Sequence, residues 1–400
     1  MSFFASVEMA PSDPILGLVE TFKADARSDK VNLGIGIYHD EHGRIPLLAT
    51  VREIEQALAL AASPRSYLPI DGLPAFNQLT QQLLFGAQSP LLAEGRVATA
   101  QTIGGSAALR VGAEMLKQVL GDQAKVAISN PSWGNHLVVF RAAGFQPSEY
   151  RYYNPSNHGL DFPGMLEDLA HLAPDTVVLL HACCHNPTGV DLDAQQWQKV
   201  IELLHEYRLV PFVDMAYQGF DKGIEQDSLV VRLLAASPIK SYVVANSYSK
   251  SFSLYGERVG ALSMVAANRD EATRVLSRMK QVIRTIYSSP ATHGAALVAG
   301  VLGSAELRPR WEQELGEMRS RIHAMRAGFV ERLAAHGAPQ FAFVQQQAGM
   351  FSYSGLSKAQ VDRLREEYAI YALSSGRICV ASLNMSNLDK VAAAVAEVSR

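Results

Sequence analysis

Cysteine is scarce in this 400-residue chain, which has three. Cys183 and Cys184 are adjacent, Cys379 is distant, and no metal-ligand or redox spacing joins them, so neither a disulfide framework nor a cysteine-built metal site is expected. An excess of charge of one sign is also lacking. The formal net charge is -3 and no basic block occurs, which removes the usual electrostatic ground for a nucleic-acid partner or an anionic membrane surface. No apolar stretch lasts for the thickness of a bilayer, and Met1-Ser2-Phe3-Phe4 does not open a basic region followed by an apolar core. A reducing, cytoplasmic setting is expected. Internal repeats, low-complexity tracts, long linkers and a P-loop are missing, and so is the third glycine of a dinucleotide fingerprint.

What is present is apolar sequence, 48% of the chain, enough at this length for two domains and a large core. Apolar runs that read as strands each end in a polar loop: Val97–Thr102 before Gly104-Gly105-Ser106, Lys125–Ile128 before Ser129–His136, and Thr176–Leu180 before His181–Gly189. Leu209–Val213 before Asp214–Gly219 and Ser241–Ala245 before Asn246–Arg258 complete the set. Helical periodicity separates them, as at Ala194–Tyr207 with Trp197, Val200, Ile201 and Leu204 on one face. The pattern predicts an α/β fold with a large, doubly wound, mainly parallel sheet, and places Ser106, Trp133, Asn186, Asp214 and Lys250 at one edge. The expected organisation is an arm over 1–14, a smaller α+β domain from 15–45 and 311–400, and a large domain over 46–310. Gly34 and Gly36, inside the apolar run Val31–Tyr38, mark either a bulge or a backbone closely approached by another group.

The chemistry concentrates at Ser247-Tyr248-Ser249-Lys250. Ser247, Ser249 and Arg258 offer two hydroxyls and a forked guanidinium to an anion, and Gly256 would let the backbone come close. Gly104-Gly105-Ser106 opening a helix suits one phosphate rather than a pyrophosphate. A lysine in cationic, partly buried company suits a Schiff base. A solvated lysine in a polar loop is the competing reading.

Four motifs then occur together: Ser247-Tyr248-Ser249-Lys250 with Arg258 eight residues on, His185-Asn186-Pro187-Thr188-Gly189, Asp214-x-x-Tyr217 and Ser375-Gly376-Arg377. With them the whole chain resembles the class I aspartate and aromatic aminotransferases, fold-type I enzymes that use pyridoxal 5'-phosphate. The resemblance implies that Lys250 forms the Schiff base and shuttles the proton, while Asp214 keeps the pyridine nitrogen protonated, with His136 behind it. It implies that Tyr217 and Asn186 bond the phenolic oxygen, that Trp133 stacks on the ring, and that Gly105, Ser106, Ser247, Ser249, Arg258 and a neighbouring subunit's Tyr67 hold the phosphate. Arg377 would take the substrate α-carboxylate, helped by Asn186, Trp133 and the Gly36 backbone. Arg284 would reach across a homodimer to a second carboxylate. Asn130-Pro131 and Asn186-Pro187 are expected to be cis.

Tyr67-Leu68-Pro69-Ile70 and Leu254-Tyr255-Gly256-Glu257-Arg258 resemble the bacterial aromatic branch. Transamination of phenylalanine, tyrosine and tryptophan with 2-oxoglutarate is therefore expected, with aspartate also accepted. The alternatives are an aspartate-preferring aminotransferase, elimination or decarboxylation on the same scaffold, and a non-catalytic regulator that binds the cofactor.

Overall fold

The computed structural model describes residues 2–10 and 16–400, so the expected arm is described in part, and Ile15, the first residue expected of the smaller domain, lies outside. Two compact units form. One comprises the described part of Met1–Arg44 with Ala324–Gln345 and Phe351–Arg400, the other Ile45–His323 with Gln346–Met350. The division falls inside the long helix Leu307–Ala335.

The larger unit is built on a seven-stranded sheet in the order Val97–Thr102, Gly260–Val265, Tyr242–Ser247, Val210–Met215, Val177–His181, Lys125–Asn130, Gln146–Arg151. All neighbours are parallel except at Gly260–Val265, which runs antiparallel to both sides. Central strands read as unbroken apolar runs because helices cover both faces. Side-chain alternation sorts them: Val178, Leu180, Val213 and Val244 enter one core cluster, whereas Val177, Leu179, Phe212, Val243 and Ala245 enter the other. Burying each such side chain contributes about 1.5–3 kcal/mol. Helix Ala194–Glu206 packs Trp197, Val200, Ile201 and Leu204 inward, and its start is fixed by Asp193 and Gln196 capping one another's backbone amides.

The smaller unit has its own apolar core, drawn from Leu33, Phe329, Leu364, Ile378, Val391 and Val395 among others. Its strands are short: Val31–Asn32 pairs in parallel with Ile370–Tyr371, and Phe351–Tyr353 antiparallel with Arg377–Cys379. Ser357 and Gln360 cap the helix Lys358–Tyr368 reciprocally, as their spacing predicts. Along the apolar run after Asn32 other groups approach the backbone closely. A Cβ at Gly34 would sit 2.2 Å from Leu18 Cδ2, and one at Gly36 would sit 2.9 Å from Phe351 Cζ.

Candidate active site

Strands Val97–Thr102, Lys125–Asn130, Val177–His181, Val210–Met215 and Tyr242–Ser247 point the same way, so their carboxyl ends share one edge of the sheet. Every polar loop of the larger unit singled out above leaves from that edge. At its middle, Asp214 sits in register between His181 and Ala245. Its Oδ2 lies 2.8 Å from Nε2 of the fully buried His136. Burial works to raise the Asp214 carboxyl, but the His136 bond and the charge of Lys250 outweigh it and hold the group below its ordinary value. It is a carboxylate at neutral pH.

A chain of hydrogen bonds continues behind this pair. The Asn186 amide donates to His181 Nδ1 (3.4 Å), His181 Nε2 lies 3.2 Å from Ser132 Oγ, and that hydroxyl lies 2.9 Å from His136 Nδ1. Because a backbone N–H can only donate, Nδ1 of His181 must accept, which puts its proton on Nε2 and lets Ser132 donate onward to His136. Burial pushes His181 down to about 3, so the ring is neutral and can fill both roles. His185 is likewise held well below its ordinary value by burial, stacked on Tyr152 at 4.0 Å and bonded to Ser129 and Thr188. The loop carrying Asn186 is tied down by Asp191, whose oxygens accept from the amides of Cys184 and His185 at 2.6 and 2.8 Å.

Lys250 Nζ lies 5.3 Å from the centre of the Tyr217 ring, and Asn186 Nδ2 donates to the Tyr217 hydroxyl at 3.5 Å. Trp133 meets His136 edge to face, ring centres 5.2 Å apart. The lysine's loop rests on aromatic rings: Trp311 stacks on Phe252 at 4.6 Å and donates its indole N–H to the Ser251 carbonyl at 2.8 Å, while Tyr248 packs between Phe76 and Phe252.

Gly104, at φ +89°, precedes helix Gly105–Leu120 without any side-chain cap, so the first amides and the positive dipole end keep their donors for an anion. The guanidinium of Arg258 lies over this point, its Nη2 2.6 Å from where a Gly104 Cβ would be. A Gly105 Cβ would come 3.0 Å from Ser247 Cβ. Gly256, by contrast, has no protein atom within 4 Å of its Cβ position, so close approach depends on Gly104, Gly105 and Gly260 rather than on Gly256. Both Asn130-Pro131 and Asn186-Pro187 are cis, as expected.

Three groups of expected residues are not brought to Lys250 within the larger unit. Tyr67 is 94% exposed. Arg284 is exposed at the end of helix Arg269–Ile286 and bonds Ser288 Oγ. Arg377 and Gly36 belong to the smaller unit, where the buried Arg377 donates from Nη2 to the Gly34 carbonyl at 2.6 Å.

The family model for aminotransferases of class I and II matches residues 28–395. The chain belongs to the class I and II aminotransferases. It is 58% identical to the aspartate aminotransferase of Pseudomonas aeruginosa, over 100% of each chain. It is 48% identical to the aromatic-amino-acid aminotransferase of Escherichia coli, over 99% of this chain and 100% of that one. Its fold superposes, at a TM-score of 0.97 and 58% identity, on the aromatic-amino-acid aminotransferase from Burkholderia pseudomallei, a crystal structure covalently bound to pyridoxal phosphate, with 100% of each chain covered.

For this aminotransferase, residue pattern alone gave no role to His181, Ser132, Ser129, Asp191, Tyr152 or Trp311. His181 and His185 flank Ala182-Cys183-Cys184, a spacing that carries no chemistry until the fold brings the two rings to 4.1 Å. Trp311 lies 61 positions after Lys250 in sequence, and nothing local marks it.

Proposed function

We propose that this aminotransferase uses pyridoxal 5'-phosphate, held covalently by Lys250, to transfer amino groups from phenylalanine, tyrosine and tryptophan to 2-oxoglutarate by a ping-pong mechanism, and that it also accepts aspartate. The observation that carries the proposal is Asp214: a largely shielded carboxylate kept ionised by His136 at the sheet edge, on the same loop as the tyrosine beneath Lys250. A protonated pyridine nitrogen is the partner such a carboxylate suits. The helix start at Gly104–Ser106, with Ser247, Ser249 and Arg258, presents the donors a phosphate monoester needs, and the Gly104 and Gly105 contacts leave no room there for side chains.

When bound, the cofactor supplies a carbonyl for the amino group and a cationic ring that accepts electrons from the substrate α-carbon. Lys250 would hold the cofactor's carbonyl and carry the substrate's α-proton. Tyr217 and Asn186 would donate to the phenolic oxygen, and Trp133 would cover the ring face. In the smaller unit Arg377 and the Gly36 amide would take the substrate α-carboxylate; in the larger unit Asn186 and Trp133 would serve the substrate. Exposed Tyr67 and Arg284, with the exposed apolar side chains of Ile45, Leu47 and Leu60, support a homodimer in which Tyr67 completes the partner's phosphate site and Arg284 its second carboxylate site. Buried, unpaired thiols at Cys183, Cys184 and Cys379 support a cytoplasmic setting.

An aspartate-preferring enzyme is the second reading, favoured by the name of the Pseudomonas aeruginosa relative. Measured kcat/KM for phenylalanine against aspartate, with 2-oxoglutarate as acceptor, separates the two. Aromatic donors should compete with aspartate to within about tenfold, a gap of about 1.4 kcal/mol in transition-state binding. A strong aspartate preference overturns the choice. A Lys250→Ala variant should show neither turnover nor a chromophore that survives dialysis.

A further inference from the structure

Phe351 opens the short strand Phe351–Tyr353, and Arg377 opens the antiparallel partner Arg377–Cys379, with Arg377 opposite Tyr353. Residues 351 and 353 lie on one face, so Phe351 is the diagonal neighbour of Arg377 on that face. The guanidinium carbon of Arg377 sits 4.1 Å from the centre of the Phe351 ring. The opposite constraint comes from Gly36, where even a methyl group would meet the ring edge at 2.9 Å. The ring's own strand is pinned by the fully buried Arg326, whose Nη2 donates to the Phe351 carbonyl at 3.1 Å and whose Nη1 reaches the Val344 carbonyl. All of these residues belong to the smaller unit.

We propose that Phe351 is a positioning residue for the carboxylate-binding arginine: its ring holds the plane of the Arg377 guanidinium through the face of the group, which hydrogen bonds to a carboxylate do not use. This inference rests on the assignment of Arg377 to the α-carboxylate. A guanidinium binds a carboxylate with two parallel N–H bonds that lie in its plane, so a tilt of that plane breaks both together. Hydrogen bonds use the edge of the group and stacking uses its face. The Gly34 carbonyl fixes one end of the edge, the aromatic ring fixes the face, and no donor is spent on the second constraint. Gly36 follows from the same geometry: any side chain there would displace the ring and tip the arginine with it.

The test compares Phe351→Leu, which keeps apolar bulk but removes the ring, with Phe351→Tyr, which restores it. In the holoenzyme, Phe351→Leu should raise KM for amino acid and 2-oxo acid roughly tenfold with a smaller change in kcat, while Phe351→Tyr stays near wild type. The single-turnover rate with a primary amine that lacks an α-carboxylate should not change in either variant. An unchanged KM in a folded Phe351→Leu protein overturns the proposal, and so does an equal loss with the carboxylate-free amine. Should Phe351→Leu fail to fold, pentafluorophenylalanine at position 351 keeps the shape and inverts the ring's charge distribution. It should raise KM in the same direction, and wild-type KM there is an overturning result. Arg377→Gln is the reference: carboxylate selectivity that survives Arg377→Gln removes the assignment of Arg377 itself, whereas selectivity lost there and kept in Phe351→Leu removes only the role of Phe351.

Discussion

At Asp214 burial raises the carboxyl, and the His136 bond, the largest of the opposing influences, works with the charges of His136, His181 and Lys250 to hold it below its ordinary value. Asp214→Asn keeps the shape and removes the charge, and kcat/KM should fall roughly 10²–10³-fold, the range seen when one preorganised electrostatic group is deleted. Behind it, His181 gives the fold a defined acid sensitivity. In the unfolded chain it takes a proton near its ordinary 6.5, in the fold only near 3, so the unfolded state gains that proton first and stability falls as pH drops from about 6.5 toward 3. Asp191 acts oppositely. Burial raises its carboxyl from 3.8 to about 6, so its contribution is complete below 3.8 and is lost as pH rises through 6. The rise of the urea midpoint with pH across about pH 4 to 6 should therefore be smaller, or reversed in sign, in His181→Gln and larger in Asp191→Asn than in the parent. An unaltered pH slope in His181→Gln would contradict the buried, neutral assignment.

Elements differ in how plainly the sequence announces them. Val177–His181 and Tyr242–Ser247 read directly as buried parallel strands, since both faces are covered and no polar residue interrupts until the site begins. Helix Ala194–Glu206 and the capped helix Lys358–Tyr368 read equally well, from periodicity and from a local cap. Gly260–Val265 does not. It starts with glycine, contains a serine at 263, and owes its place to two neighbours that are far away in sequence. In the smaller unit the strands Phe351–Tyr353 and Arg377–Cys379 fall on apolar runs legible in the sequence, whereas the two-residue pair Val31–Asn32 and Ile370–Tyr371 is not, because tertiary packing rather than periodicity sets its ends. In the candidate site, residues that contact an anion or a ring announce themselves by motif, whereas the groups that hold them do so only by distance. Trp311 illustrates the second class. Trp311→Phe retains the stack on Phe252 but leaves the Ser251 carbonyl without its indole donor, and should cost about 1–3 kcal/mol in denaturant unfolding. Trp311→Ala should cost about 3–5 kcal/mol through the cavity it leaves.

For the molecule as a whole, the proposed homodimer makes a prediction that no single-chain effect can imitate. A chain bearing Lys250→Ala and a chain bearing Arg284→Asp would each form impaired homodimers. If Arg284 serves the neighbouring subunit, mixing the two yields hybrids in which one site has lost both residues and the other has both intact. Transamination of aspartate should rise above either parent after co-refolding, and a mixture no better than the sum of its parents would place Arg284 with its own chain's lysine. Aromatic donors should show a weaker dependence on Arg284, because their side chains carry no second carboxylate to pair with it.

The reversed strand Gly260–Val265 brings position 260 so near the first turn of Gly105–Leu120 that a methyl there would lie 2.7 Å from the Gly104 carbonyl carbon and 2.9 Å from the Gly105 nitrogen. Main chain, unlike a side-chain tip, cannot step aside. A saturation library scored by growth that requires the enzyme to make its product should therefore return only glycine at codon 260. At codon 256, which opens onto clear space, it should return alanine and serine freely.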